Sequence, residues 1–145
     1  MRPRTIVYAL VLLVVASVML GTLALRPRIE VNVLRDRAPL FVELSDGSVR
    51  NAYTLKILNM AREPREYSVQ VEGLPGARLS LAGREEARDV LVLAARPDAV
   101  STSRVTLTVP RAALRAASTP VVFRIVSADT GEQVSHDSVF LGPGR

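Results

Sequence analysis

The sequence predicts an all-β domain, a β-sandwich of seven or eight strands, preceded by one N-terminal transmembrane helix. Three observations support this prediction: a charge-free apolar run near the N-terminus, short segments of alternating apolar and polar residues after it, and turn signals between those segments. Beyond the apolar run about 117 residues remain, which is enough for one modest core but not for two domains. We therefore expect an anchor at residues 1–28 and one domain at residues 29–145.

Residues 5–25 form an apolar run of 21 residues without a single charge. As a helix this run is about 31 Å long, which matches a hydrocarbon core of roughly 30 Å, and a helix satisfies its own backbone hydrogen bonds in lipid. A cleavable signal peptide is the alternative, but the apolar part of a signal peptide is usually about 7–15 residues long. We expect an uncleaved anchor that contacts the membrane lipid bilayer.

The positive charges around the anchor do not decide which side of the membrane the domain occupies. Arg2 and Arg4 precede the apolar run, whereas Arg26 and Arg28 follow it together with further arginines. The count of positive charges alone favours a cytoplasmic domain, but a long C-terminal domain can be translocated whatever its charge. The residues therefore leave the orientation open.

The chain after the anchor alternates between extended segments and turns. Turn signals lie at residues 45–48, 73–76 and 129–132, and residues 111–117 are rich in helix formers but too few for more than a turn of helix or a loop. This succession is typical of an immunoglobulin-like sandwich, although the lack of cysteine and tryptophan excludes an antibody-type domain. A brief apolar run at residues 90–93 is a further candidate strand. The expected extended segments are residues 29–33, 40–44, 53–59, 67–72, 78–81, 104–109, 121–126 and 134–141.

The composition excludes several classes of function. The formal net charge is +5, but four of the basic residues flank the anchor, and from Ile29 onward there are 15 basic and 14 acidic side chains. A nearly neutral domain with three Tyr, three Phe and no Trp offers neither a basic stripe nor stacking surfaces, so we expect no nucleic acid partner. Because the sequence has no cysteine, it supplies no thiolate ligand for zinc or for an iron–sulfur cluster.

No residue is predicted to be catalytic, to ligate a metal or to bind a cofactor. His136 is the only histidine and lies beside Asp137, but copper and zinc sites need several converging ligands. The serines include no G-x-S-x-G elbow, and a lone histidine gives no reason to assemble a catalytic triad. We therefore expect no enzyme activity, no cofactor and no small-molecule substrate.

Arg35, Asp36 and Arg37 form the densest group of charges in an otherwise nearly neutral domain. Because they follow the anchor by only about ten residues, we expect them at the end of the domain nearest the membrane, together with the turn at Asp46 and Gly47. The functional interpretation is a docking or hinge element that contacts a partner. The alternative is a solvated corner with local ion pairs, each of which contributes little in water.

A set of short motifs runs through almost the whole domain. The motifs are residues 35–37 (RDR), 44–48 (LSDGS), 50–57 (RNAYTLKI), 72–76 (EGLPG), 129–132 (DTGE) and 140–143 (FLGP). Together they resemble the C-terminal domain of the FixG/RdxA/CcoG family, the cytochrome c oxidase accessory proteins. The apolar helix before the domain is similar to the last membrane span of that family.

The resemblance implies a membrane protein that helps to mature a copper-containing cytochrome c oxidase of the cbb type. It implies that the partners are membrane proteins of oxidase assembly. It also implies an orientation in the cytoplasmic (inner) membrane with the C-terminal domain on the periplasmic side, which together with the one apolar run predicts a single-pass protein.

The sequence also departs from the family that it resembles. Family members carry further membrane spans and cysteine motifs for iron–sulfur clusters, which this sequence lacks. The expected function is therefore a membrane-anchored, non-catalytic interaction module. One alternative is the C-terminal piece of a split iron–sulfur redox protein, acting in copper reduction or electron transfer, whose cluster-bearing half is a separate chain. Another is an anchored structural module with no link to the oxidase.

Overall fold

The structure, a computed structural model, describes residues 3–25, 29–84 and 86–143. In this part of the chain one helix, α1 (Pro3–Ala24), is long and apolar enough to cross a membrane, with 22 residues and a mean hydropathy of 2.6. At about 1.5 Å per residue it is about 33 Å long. None of its residues is buried against the rest of the protein. The helix therefore fits a single-pass membrane anchor.

The β domain begins at Ile29, where its first strand starts. Three of the arginines that flank the apolar run, Arg2, Arg26 and Arg28, lie outside the described residues. The strands in the described part of the chain are β1 (Ile29–Arg35), β2 (Val42–Glu43), β3 (Val49–Asn59), β4 (Arg65–Glu72), β5 (Arg78–Leu81), β6 (Val90–Ala95), β7 (Ala99–Val109), β8 (Ser118–Ser127) and β9 (Gln133–Leu141).

The described residues form nine strands, whereas the sequence predicts seven or eight. The difference arises because the brief apolar run at residues 90–93, a further candidate in the sequence, forms the strand β6 and pairs with β4. The strands β3 and β7 also start earlier than the sequence predicts, since they pair with each other along all 11 residues. Residues 111–113 form a single 3-10 turn, which agrees with the prediction for the stretch after β7.

The strands form two antiparallel sheets. Sheet A has the order β1-β3-β7-β5, with β2 also paired to β3, and sheet B has the order β6-β4-β8-β9. We call the end of the sandwich that contains Ile29 and Asn59 the proximal end, because the chain arrives there from α1. The opposite end, which contains Val49 and Val109, is the distal end. Ten steps along β3 separate the two ends by about 33 Å.

The core lies between the sheets and is centred on β3. Along this strand every second side chain is buried, because successive side chains of a strand point to opposite faces. Tyr53 of β3 packs edge to face against Phe123 of β8, with ring centroids 4.9 Å apart. Both rings are fully buried, so this contact joins the two sheets near the middle of the domain.

At the distal end, buried polar side chains of β3 bond to the backbone of sheet B. Asn51 Nδ2 donates to the carbonyl oxygen of Leu141 at 2.7 Å, and the Leu141 N–H donates back to Asn51 Oδ1 at 3.4 Å. The hydroxyl of Tyr53 donates to the carbonyl oxygen of Val139 at 2.9 Å. Both acceptors lie on β9, which forms the edge of sheet B.

At the proximal end Asn59 has a similar role. Its Oδ1 accepts hydrogen bonds from the Tyr67 hydroxyl at 3.3 Å and from the Ala61 N–H at 3.0 Å. Its Nδ2 donates to the carbonyl oxygens of Glu63 at 2.8 Å and Arg96 at 3.3 Å. Because Asn59 is 1% exposed, water cannot replace these partners. One side chain thus holds two loops and a strand of sheet B.

We predict that Asn59→Ala lowers the free energy of unfolding by about 2–4 kcal/mol, because it leaves several buried groups without a partner. The measurement is denaturant unfolding of the chain in neutral detergent, followed by the β-sheet circular dichroism signal. Asn32→Ala is the matched control, since Asn32 is exposed on β1, and it is expected to change stability by less than about 0.5 kcal/mol. Equal effects of the two substitutions would contradict this role of Asn59.

Candidate interaction surface at the distal end of the sandwich

The charged group Arg35, Asp36 and Arg37 lies at the end of β1, nearer to the distal end of the domain than to the proximal end. The strand β1 starts at Ile29 and ends at Arg35, and an extended chain advances about 3.3 Å per residue, so Arg35 lies about 20 Å from the start of the strand. These charges are therefore well separated from the start of the domain, and their closeness to the membrane stays a prediction. The strand carries the chain away from the point at which it arrives from α1.

Asp36 is engaged in contacts within sheet A. Its Oδ2 accepts a hydrogen bond from Arg104 Nε at 2.9 Å and lies 2.7 Å from Arg104 Nη2, and its Oδ1 accepts from Thr54 Oγ1 at 3.2 Å. The Asp36 N–H donates to the carbonyl oxygen of Ala52 at 2.9 Å. These contacts tie the end of β1 across β3 to β7. Asp36 thus fixes the position of the corner.

Arg35 and Arg37 differ in their surroundings. Arg35 lies opposite Tyr53 in the β1–β3 register, and its positive charge partly opposes the effect of burial, which raises the pKa of Tyr53 well above its usual range. The Nη1 atom of Arg35 is buried and has no hydrogen-bond partner among the described residues. Arg37 is exposed, so its charge is the one of the three that a partner can reach most readily.

The predicted turn at Asp46 and Gly47 is a tight loop at the same end. Asp46 Oδ1 accepts hydrogen bonds from the Ser48 hydroxyl at 2.6 Å and the Ser48 N–H at 2.9 Å, and these bonds lower the pKa of Asp46. Gly47 has a φ of 81°, a conformation that residues with a Cβ rarely adopt. The loop is closed by the Leu44 N–H, which donates to the carbonyl oxygen of Ser48 at 2.8 Å. Asp46 is therefore ionised at neutral pH and held in place.

An open groove of about 610 Å³ lies beside this turn, and we call it the distal groove. Its charged and polar lining comes from β3, β5, β7, the 3-10 turn and the loop after β2. The lining includes polar or charged side chains and apolar ones. The polar or charged ones include Asp46, Arg50, Arg78, Thr108 and Arg111, and the apolar ones include Leu44 and Pro110.

Three arginines of the distal groove come from separate elements. Arg50 and Arg78 both lie opposite Thr108, so strand register places them in one row on the outer face of sheet A. Arg50 Nε donates to Thr108 Oγ1 at 3.2 Å, and the Arg50 charge adds to the Ser48 hydrogen bonds that lower the pKa of Asp46. Arg111 Nη1 is 3.5 Å from Glu43 Oε1, and the described residues contain no partner for the Arg78 guanidinium. The groove therefore carries positive charge that its own acids balance only in part.

Sequence reasoning predicted a partner contact at Asp46 and Gly47 but did not connect the three arginines with them. Arg50, Arg78 and Arg111 are 28 and 33 positions apart, and only the strand register brings them together. The alternation of inward and outward residues in β3 and β5 could have assigned Arg50 and Arg78 to the outer face. It could not have aligned the strands.

His136 lies on β9, opposite Phe123 of β8. Its Nδ1 is 2.9 Å from the carbonyl oxygen of the adjacent Asp137. The described residues contain no group of three or more His, Asp or Glu side chains that could hold a metal ion.

The chain matches the model of a protein family described as "IG-like fold at C-terminal of FixG, putative oxidoreductase" over residues 19–143. The match confirms the predicted immunoglobulin-like sandwich. The fold is also similar to the crystal structure of a FixG-related protein from Vibrio parahaemolyticus, with a TM-score of 0.62, 24% sequence identity and coverage of 80% of this chain and 97% of that one.

Two curated relatives are similar to this chain in sequence. The nitrogen fixation protein FixG of Rhizobium meliloti (strain 1021) is 44% identical over 112 residues, which make up 76% of this chain and 21% of FixG. Protein RdxA of Cereibacter sphaeroides is 38% identical over 130 residues, or 90% of this chain and 27% of RdxA. The chain therefore spans about a quarter of the length of these relatives.

We predict that the ion pair between Asp36 and Arg104 stabilises the domain by about 0.5–1 kcal/mol, because both partners are partly exposed and solvent screens them. The measurement is a double-mutant cycle with Asp36→Ala and Arg104→Ala, followed by thermal unfolding. Asp36→Ala alone should cost more than Arg104→Ala alone, since it also removes the bond to Thr54. Strict additivity of the two substitutions would contradict the coupling.

Proposed function

This chain belongs to the family of FixG C-terminal immunoglobulin-like domains, and from that premise we propose that it is a membrane-anchored, non-catalytic interaction module in the assembly or maturation of a cbb-type cytochrome c oxidase. The observation that carries the proposal is the family match over residues 19–143, which includes nearly the whole β domain. The proposed partners are membrane proteins of oxidase assembly.

The non-catalytic part of the proposal is supported by the side chains that the sequence supplies. The sequence has no cysteine and one histidine. It therefore offers no thiolate as a ligand or nucleophile, and only one imidazole for acid–base catalysis. The carboxylates Asp36 and Asp46 are both engaged by neighbouring groups of the fold. The arginines of the distal groove suit recognition of a negatively charged partner.

The proposed location is the cytoplasmic (inner) membrane, with the domain on the periplasmic side. Support comes from α1, which has the length and apolarity of a spanning helix, and from the family resemblance. The arginines around α1 do not favour this orientation, but their count is a weak guide for a single span before a long domain.

A second candidate function follows from the length of the relatives. The chain spans 21% of FixG and 27% of RdxA. We propose as the alternative that this domain binds a separate chain that carries the iron–sulfur clusters, as the C-terminal piece of a split redox protein. Iron and acid-labile sulfide that co-purify with the tagged chain in mild detergent would favour this alternative.

The test of the proposed function is deletion of the gene, followed by measurement of assembled cbb-type oxidase in the membranes. We expect assembled oxidase and its activity to fall by about threefold or more and to return when the full chain is supplied. A chain without residues 5–25 should restore less, because the proposed module must be held at the membrane. Unchanged oxidase in the deletion strain would refute the role in assembly.

The proposed orientation predicts that a reporter active only outside the cytoplasm is active when it is fused after Arg145. The same fusion without residues 5–25 is the control, and it should be inactive, because nothing then directs the domain across the membrane. The fusion protein should also keep its full mass on an immunoblot, since the anchor is not cleaved. Activity of a reporter that works only in the cytoplasm would overturn the orientation.

A further inference from the structure

We propose that the distal groove binds an extended acidic peptide segment of a partner protein, with Arg50, Arg78 and Arg111 as the residues that receive its carboxylates. This inference rests on the proposed function to the extent that the chain is an interaction module. It goes beyond that function by naming the surface and the chemistry of the partner.

The first support is the charge of the groove. Its lining contains three arginines and one ionised aspartate, which leaves a net positive charge of two. Arg78 has no partner among the described residues, and Arg50 bonds only to a neutral hydroxyl. The contact of Arg111 with Glu43 is long and exposed, so a better acceptor can replace it at little cost. Carboxylates that accept the two parallel N–H groups of an arginine are such acceptors.

The second support is the shape and the mixed lining of the groove. A volume of about 610 Å³ is far larger than one phosphate or one carboxylate needs, and it lies within the range of sites for larger ligands. Leu44 and Pro110 lie in the same lining and offer apolar contacts to the side chains between two acidic residues. A peptide uses both kinds of surface, whereas a hydrated inorganic anion uses only the arginines.

The third support is the position of Asp46 in the lining. Its carboxylate is fixed by Ser48 and remains ionised, so a compact polyanion in the groove would be repelled by it. An extended peptide avoids this repulsion, because it can place its carboxylates at the arginines and a backbone N–H at Asp46. The groove also opens at the end of the domain opposite to the point where the chain arrives from α1, which favours a protein partner over a lipid headgroup.

The arginines are presented on a rigid base. Arg50 of β3 and Arg78 of β5 both pair with Thr108 of β7 in one row, and the three strands are paired along it. A ligand therefore meets side chains whose backbone positions are already fixed, so little ordering is needed on binding.

The test uses the full chain in neutral detergent and a fluorescent eight-residue peptide in which four glutamates alternate with alanines, at low salt. The matched peptide has glutamine in place of each glutamate. Fluorescence anisotropy should show saturable binding of the glutamate peptide, and binding of the glutamine peptide should be at least about tenfold weaker. No oxidase component is present, so failure of this test and failure of the oxidase proposal are distinguishable.

The variant R78Q/R111Q should bind the glutamate peptide about tenfold more weakly, because two receiving charges are removed. The matched control is R62Q/R96Q, which removes two exposed arginines near the proximal end and should leave the affinity unchanged within about twofold. Thermal unfolding of each variant shows whether the fold is retained. The charge-reversed variant R78E/R111E should lose the glutamate peptide and bind a matched lysine peptide.

Three results would overturn the proposal. Equal binding of the glutamate and glutamine peptides would show that carboxylates are not recognised. Equal loss in R78Q/R111Q and R62Q/R96Q would show that the attraction is due to net charge alone. Competition by inorganic phosphate, or by vesicles of an anionic phospholipid, at the same anion concentration as the peptide would assign the groove to a small anion or a headgroup.

Discussion

The fold depends on the hydrogen bonds that the inner face of β3 makes with sheet B. A sandwich of two apolar faces can slide, because apolar contacts have little direction. Asn51 and Tyr53 remove this freedom at the distal end, since each bonds to the backbone of β9. Asn59 removes it at the proximal end through Tyr67. Because these polar groups are buried, a shifted arrangement would leave them unsatisfied at a cost of about 1–3 kcal/mol each.

The distal groove follows from this fixed arrangement. Its row of Arg50, Thr108 and Arg78 exists only in one register of β3, β5 and β7. A slip of one residue in β3 would bring Asn51 to the outer face and turn Arg50 towards the core. The buried hydrogen bonds of Asn51, Tyr53 and Asn59, which hold β3 in place against sheet B, therefore also determine which charges a partner meets.

Much of the architecture could be predicted from the sequence, because it depends on local patterns. Each of these patterns depends only on residues that are close in the sequence. Examples are the alternation in β3 and β4, the charge-free run of α1 and the turn at Gly47. The short strands β2 and β6 were harder to count, since two to six residues carry little periodic signal and their pairing is decided by neighbours.

The surface was less predictable, because its composition depends on pairings between distant residues. Asp36 was expected to belong to an exposed charged corner, yet it bonds to Arg104, 68 positions away. The expected position of the corner rested on its distance along the sequence from the anchor. Six residues of an extended strand span about 20 Å, so Arg35 lies far from Ile29 in space although the two are close in sequence.

The path of the chain from α1 into β1 also has a mechanical consequence. The strand β1 pairs with β3 in seven consecutive register positions, and the chain reaches it at the proximal end. If the membrane holds the helix while a bound protein pulls on the distal surface, the load runs parallel to the strands. The hydrogen bonds between β1 and β3 then resist in shear, all together, instead of opening one after another from the end. A pull between the anchor and the distal surface would thus load β1 along its length.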